Sequence, residues 1–272
     1  MSKMSVNLAG VTLKNPVMTA SGTFGSGAEY SEFVDLNHLG AVVTKGVANV
    51  PWPGNPTPRV AETTGGMLNA IGLQNPGIDV FCERDIPFLL KYDTKIIVNV
   101  CGKTTEDYCE VVERLANEPV DMLEINVSCP NVKEGGIAFG QNPKALEAIT
   151  KEVKKYAKQP VIMKLSPNVI DITEMARAAE SGGADVVSLI NTITGMKIDI
   201  NRRTFALANK TGGMSETSAR AFLPKYMPCM FPSVPPLEIT PQWSSPNPYA
   251  PARKSTHSRS NSSVLSMSQS VL

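Results

Sequence analysis

Lysine and asparagine stand toward the ends of several apolar runs in this sequence. Lys45 lies in AVVTKGV (41–47), Asn99 in KIIVNVCG (95–102), Asn126 in DMLEINVSCPN (121–131) and Lys164 in PVIMKLSP (160–167); Asn191 and Thr192 close ADVVSLINT (184–192). Singly, each has a bland reading. An asparagine at a strand end is most often a turn former, and a lysine within VIMKL serves as readily in a structural ion pair. Gathered on one face they read differently. A buried ammonium is costly unless it meets an anion or gives up its charge. Two lysines with three asparagines therefore describe a pocket for a planar, polar, anionic ligand. Amides offer donor and acceptor together, which suits the edge of a heterocycle.

Cys129 is the one candidate for proton transfer. Most cysteines are small buried apolar residues, and Cys82, Cys101, Cys109 and Cys229 have no setting that says otherwise. In NVSCPNVKEGG, however, Pro130 breaks the strand just after Cys129, and Gly135-Gly136 follow. A cysteine at the root of a glycine-hinged loop sits where a lid carries an acid–base group over a pocket. A thiol with an ordinary pKa of about 8.5 can act as a base near neutrality if its surroundings help. The five cysteines form no CxxC pair, and their odd number argues against a disulfide framework or a structural zinc site. His38 and His257 join no triad-like arrangement.

Six strand–helix units position these residues. The strand candidates are 16–22, 41–47, 95–102, 121–131, 160–167 and 184–192, each with the near-continuous apolar body of a parallel strand covered on both faces. Thr104 opens a helix with Tyr108, Val111, Val112 and Leu115 inward. Asn142 and Pro143 cap and start another, with Leu146, Ile149, Val153 and Tyr156 as its stripe. Asp171 with Glu174 resembles a capping box ahead of Ile172, Met175, Ala176 and Ala179, and Gly182-Gly183 stops that helix. The alternation predicts a parallel α/β fold. No GxGxxG follows the first strand, and polar residues end nearly every strand, so the pattern favours a (β/α)8-type barrel with its chemistry at the C-terminal face. VNLAGVTLKN reads as a small hairpin about Ala9-Gly10 that caps one end of such a barrel.

Composition bounds the rest. The 272 residues are 42% hydrophobic and 19% charged, with a formal net charge of +1, which excludes a wholly disordered chain and gives no bulk field toward nucleic acid. No apolar run reaches a membrane span, and the first residues make no secretory signal, so a reducing cytoplasm is the default expectation. All 20 glycines lie at or before Gly213. Nine prolines crowd between Pro224 and Pro251, and Glu216 and Glu238 are the only acidic residues after Gly213. Residues 1–213 are thus expected to form the barrel, and 214–272 a Pro/Ser-rich disordered tail.

At these residues the chain resembles the class 1B, NAD-linked dihydroorotate dehydrogenases, in their catalytic subunit. The matching stretches are NPVMTASGTFG, VVTKGV, GGMLNAIGLQNPG (65–77), INVSCPN, VIMKLSPN, SLINT and NKTGGMS, together spanning residues 5–215. INVSCPN with NAIGLQNPG is specific. The resemblance implies FMN, a closed barrel, and oxidation of dihydroorotate to orotate in de novo pyrimidine (UMP) synthesis. It implies that Cys129 takes the C5 proton while a hydride passes from C6 to FMN. Lys45, Asn69, Ala70, Ile71, Gly72, Leu73, Asn126, Asn131, Asn191 and Thr192 would hold the substrate. Ser21, Lys45, Gly46, Asn99, Asn126, Lys164 and Ile190 would contact FMN, with Lys164 stabilising charge on the reduced ring. It further implies a partner subunit carrying FAD and a two-iron, two-sulfur (2Fe-2S) cluster, NAD as final acceptor, and a homodimer or heterotetramer. No metal site is expected on this chain.

After about Ser215 the likeness ends. Glu216 stands where the family carries the glycine of its NKTGG-x-SGPA stretch, and TSARAFLPKYMPCMFPSVPPLEITPQW has none of the family's strand, turn or glycine pattern. A change of reading frame accounts for so abrupt a shift. The expectation is a barrel of about six units with two bare sheet edges, weak FMN retention and impaired activity. Two other readings stand beside it: a barrel lyase using Lys164 or Lys45 as a Schiff base, and a non-catalytic remnant that pairs with an intact subunit.

Overall fold

The computed structural model describes residues 4–128, 139–216 and 264–266. The chain opens on the expected hairpin, β1 (Val6–Leu8) and β2 (Val11–Leu13), in antiparallel register. Ala9 (φ 46°) and Gly10 (φ 90°) both take the left-handed backbone that a tight two-residue hairpin turn needs. Next come β3 (Ala41–Val43), β4 (Val60–Thr63) and β5 (Gly66–Asn69). A helical run follows, from α1 (Ile78–Val80) through a π-helical turn (Phe81–Asp85) to α2 (Ile86–Leu89). Strands and helices then alternate: β6 (Lys95–Val100), α3 (Thr105–Leu115), β7 (Met122–Asn126), α4 (Pro143–Tyr156), β8 (Val161–Lys164), α5 (Ile172–Ser181) and β9 (Val186–Leu189).

β3, β6, β7, β8 and β9 pair in parallel in that order. They form the curled sheet of a truncated (β/α)8-type barrel. The strands are shorter than their apolar runs suggest, and β6, β7, β8 and β9 each carry a polar residue at or next to their last position. The run 16–22 makes only one bridge, Met18 to Ala41. Beyond it the Thr19 hydroxyl takes the Val43 N–H (2.9 Å) and donates to the Val43 carbonyl (3.3 Å), so a side chain continues the short backbone pairing of 17–19 with 40–41. At the other side, β14 (Val264–Ser266) lies parallel beside β9, with Leu265 opposite Ser188. The bare edge expected at β9 is therefore paired. An open edge presents N–H and C=O groups that an extended segment can satisfy.

Alternation along the strands makes two apolar layers. Outward residues such as Val98, Val100, Leu123, Ile125 and Met163 pack against the helices in one buried cluster. The helix stripes meet them as expected, with Tyr108, Val111, Val112 and Leu115 on α3 and Leu146, Ile149 and Val153 on α4 all buried. Tyr156 is the exception. It is exposed. Thr104 and Asp107 close a reciprocal capping box on α3, and Asn142 accepts from the Lys144 and Ala145 N–H groups on α4. At α5 the Asp171 side chain accepts from the Thr173 N–H. Inward, Val43, Ile97, Met122, Ile162 and Val186 pack with Leu8 and Leu13 of the hairpin. The hairpin thus plugs the N-terminal end of the barrel, as the sequence predicts.

A second sheet was not among the expected elements. β10 (Ile193–Met196) and β13 (Thr211–Glu216) join β5 and β4 in the antiparallel order β10-β13-β5-β4. A small hairpin, β11 (Ile198–Asp199) and β12 (Thr204–Phe205), lies between β10 and β13 in the chain.

Candidate functional site

The inward column of the sheet turns from apolar to polar in a single step. Two residues beyond the plugged layer stand Asn99, Glu124, Lys164 and Ser188, all at 2% exposure or less. Lys45 follows Val43 by the same count and is half-buried. Two residues further lie Cys101, Asn126 and Ser166, also buried. Period-two alternation thus puts the sequence-predicted Lys45, Asn99 and Lys164 into one tier, with Glu124 of β7 between the last two, and Asn126 into the next.

A continuous chain of hydrogen bonds joins them. Lys164 Nζ reaches Ser21 Oγ at 3.3 Å and Glu124 Oε1 at 3.4 Å. The same Oε1 accepts from Asn99 Nδ2 at 2.6 Å. Asn99 Oδ1 accepts from Asn126 Nδ2 at 3.2 Å. Asn126 Oδ1 accepts from Asn191 Nδ2 at 3.2 Å, and Asn191 Nδ2 also donates to Ser128 Oγ at 3.0 Å. Thr192 N–H closes on Asn191 Oδ1 at 2.8 Å. A buried polar chain of this kind fixes each amide's orientation through its neighbours. Glu124 Oε2 is buried and has no hydrogen-bond partner among the described residues.

A wall stands over this tier. Asn69 Nδ2 lies 3.5 Å from the Gly213 carbonyl. A Cβ added at Gly213 would stand 2.0 Å from Thr192 Oγ1, so backbone meets side chain there with no room to spare. Asn55 holds the loop after Asn69, donating from its side chain to the Ala70 carbonyl (3.0 Å) and from its backbone to the Ile71 carbonyl (3.0 Å). Gly72 (φ 76°) and Leu73 (φ 53°) then turn the chain through the left-handed region. Leu73 comes back over Gly46, where an added Cβ would lie 3.3 Å from Leu73 Cδ2, 3.1 Å from Asn99 Oδ1 and 3.4 Å from Cys101 Sγ.

Ser21, Asn99, Asn126, Lys164, Asn191 and Thr192 are therefore brought together directly, and Gly46, Asn69 and Leu73 border them. Ile190 stands apart from the hydrogen-bonded chain and packs against the apolar cluster under the helices. Cys129 and Asn131 lie outside the described residues; Ser128, the residue before Cys129, is buried within the polar tier. Among the described cysteines, burial pushes the Cys82 thiol up to about 11 and raises that of Cys109 as well, which makes both poor bases. Sequence reasoning missed Glu124, Ser128 and Asn168. The signal for the first two was the period of two: Glu124, Asn126 and Ser128 share a face. Asn168 receives the Thr194 N–H (2.9 Å) and donates to the Thr192 carbonyl (3.1 Å), so it steadies the strand exit. Among the described residues no group of three His, Cys, Asp or Glu is placed to hold a metal ion, and no helix is long and apolar enough to cross a membrane.

Known proteins resemble this chain over most of its length. A family model described as dihydroorotate dehydrogenase matches residues 3–222. The chain is 74% identical over 211 residues to the dihydroorotate dehydrogenase B (NAD(+)) catalytic subunit of Lachnoclostridium phytofermentans, covering 78% of this chain and 70% of that protein. It is 67% identical over 212 residues to the protein of the same description from Alkaliphilus metalliredigens, with the same coverage. A crystal structure of DHODH from Eimeria tenella in complex with ferulenol superposes with a TM-score of 0.67 at 23% identity, over 84% of this chain and 69% of that one. At that identity the last likeness speaks to the fold.

Proposed function

The chain belongs to the dihydroorotate dehydrogenase family of oxidoreductases, and from that premise we propose that it binds FMN and dihydroorotate at the C-terminal end of its sheet. The observation that carries the reading is the buried chain from Ser21 through Lys164, Glu124, Asn99 and Asn126 to Asn191. The residues fit a flavin in three respects. Gly46 offers a surface that any side chain would fill. Lys164 and the amides supply donors of the kind a ring's carbonyl edge accepts. Glu124 Oε2 is a buried acceptor left open.

Ser21, Lys45, Gly46, Asn99, Asn126, Lys164 and Ile190 would hold FMN. When bound, FMN supplies the acceptor for the hydride of substrate C6. Lys164 adds a fixed positive charge, preorganised by its ion pair, beside a ring that gains negative charge. Asn69, Asn126, Asn131, Asn191 and Thr192 orient the pyrimidine and its carboxylate with Lys45, and the stretch Ala70 to Leu73 closes one wall and excludes water. Cys129 removes the C5 proton, so the electron pair of that C–H bond becomes part of the new C5–C6 double bond. A partner subunit carrying FAD and a (2Fe-2S) cluster would take the electrons onward, with NAD as the last acceptor. Of the two lysines open to the competing Schiff-base chemistry, Lys164 stands in an ion pair with Glu124 and not as a free amine.

The test is spectroscopic. Protein supplied with FMN is expected to show a bound-flavin spectrum that bleaches when dihydroorotate is added without oxygen. Cys129→Ala is expected to bind flavin and lose the bleaching. A wild-type chain that takes up no FMN, or whose flavin ignores dihydroorotate, overturns the reading.

A further inference from the structure

Glu124 carries out no step of the chemistry above, yet it sits at the junction of the polar chain. It is wholly buried, two residues from Asn126 on the same face, and a single oxygen of its carboxylate meets both Lys164 (3.4 Å) and Asn99 (2.6 Å). Replacing such a carboxylate by an apolar residue would leave a buried ammonium without its anion, which is among the costliest single changes a core can suffer. A merely structural requirement could be met more cheaply, because an apolar pair in place of Lys164 and Glu124 fills the same space without desolvating two charges. The pair stands at the tier facing the proposed flavin.

We infer that Glu124 is a positioning residue for the flavin reaction, holding Lys164 and Asn99 in place and offsetting the Lys164 charge so that the flavin's reduction potential is kept low. The inference rests on the flavin reading above. A ring that gains negative charge on reduction is stabilised by Lys164 and opposed by Glu124. Glu124→Gln keeps the shape and the acceptor oxygen but removes the opposing charge, so reduction becomes more favourable. The effect depends on Lys164. With Lys164→Gln, the carboxylate is buried without a cation and takes up a proton to become neutral, so the further change Glu124→Gln alters little.

The experiment is a reductive titration of the FMN-loaded chain against reference dyes. Glu124→Gln is expected to shift the reduction equilibrium about tenfold toward reduced flavin, which is about 30 mV for a two-electron couple. Lys164→Gln is expected to shift it the opposite way, and the double variant to match Lys164→Gln. Glu124→Asp withdraws the carboxylate from Lys164 and is expected to move the potential in the same direction as Glu124→Gln by a smaller step; it serves if the glutamine variant does not fold. A yellow wild-type protein whose folded variants keep its potential, or a shift that persists undiminished in the Lys164→Gln background, overturns the inference alone. A wild-type chain that binds no flavin overturns the functional reading and this inference with it.

Discussion

At the scale of single residues, the site is a set of close approaches in which glycine and amide are not interchangeable with anything larger. Gly213 shows this best. Its missing side chain is occupied by Thr192, whose Oγ1 would stand 2.0 Å from an added Cβ. Thr192 cannot yield alone, because its N–H is bonded to Asn191 Oδ1 and its carbonyl to Asn168. Gly213→Ala is therefore expected to displace Asn191 and Thr192 together. The expected cost is about a hundredfold in kcat/KM for dihydroorotate, the scale of a displacement near 1 Å at a reacting group, with the circular dichroism of the fold kept. Steady-state kinetics that match wild type would refute it. Asn99 is a second such point, since it donates to Glu124 and accepts from Asn126. Asn99→Ala leaves both partners short of a hydrogen bond in a dry layer and is expected to cost roughly 1–3 kcal/mol, read by urea unfolding.

Elements differ in how much of them the local sequence records. The helices were legible because their ends carry chemistry of their own. Thr104 and Asp107 bond each other's backbone, and Asn142 precedes a proline that needs no N–H partner. Thr104→Ala is expected to cost about 1 kcal/mol, measured by thermal unfolding. At α5 the Thr173 hydroxyl, and then its N–H, hold the Asp171 carboxyl below its ordinary value. A carboxylate lowered in the folded state stabilises the protein above its unfolded pKa, near about 3.9, and that contribution is lost as pH falls through the folded value. Asp171→Asn is thus expected to be less stable than wild type at neutral pH, with the gap closing in acid. A gap that stays constant down the pH series would contradict the assignment. The parallel strands were legible as apolar runs, and their polar ends marked the candidate site. The antiparallel sheet was not legible, because its pairing of Gly66–Asn69 with 213–216 joins segments far apart in sequence, and neither GGMLN nor TGGMSE carries an alternating pattern. Glu124 was passed over for a related reason. In DMLEIN it looks like one polar interruption of a buried strand, and its meaning appears only once Lys164 on the next strand stands 3.4 Å away.

The whole molecule divides its labour between the two ends of the sheet. One end is sealed by Leu8 and Leu13 against Ile97, Met122, Ile162 and Val186 in one apolar cluster. The other presents the amides, Lys164 and Glu124. Stability and ligand binding should accordingly be separable by mutation. Leu13, at 1% exposure, fills the plug, and Leu13→Ala is expected to cost about 2–5 kcal/mol. It lies in the apolar layer and not in the hydrogen-bonded chain of Lys164, Asn99 and Asn126, so its cost should add to the effect of ligand without coupling to it. FMN at a hundred times its Kd stabilises a protein that binds it only when folded by about 2.7 kcal/mol. Thermal unfolding of wild type and Leu13→Ala, each with and without FMN at that multiple of its own Kd, should then give two parallel shifts, with FMN affinity unchanged between the proteins. If the plug variant instead binds FMN markedly more weakly, the polar tier takes its shape from the packing beneath it, and the division between the two ends does not hold.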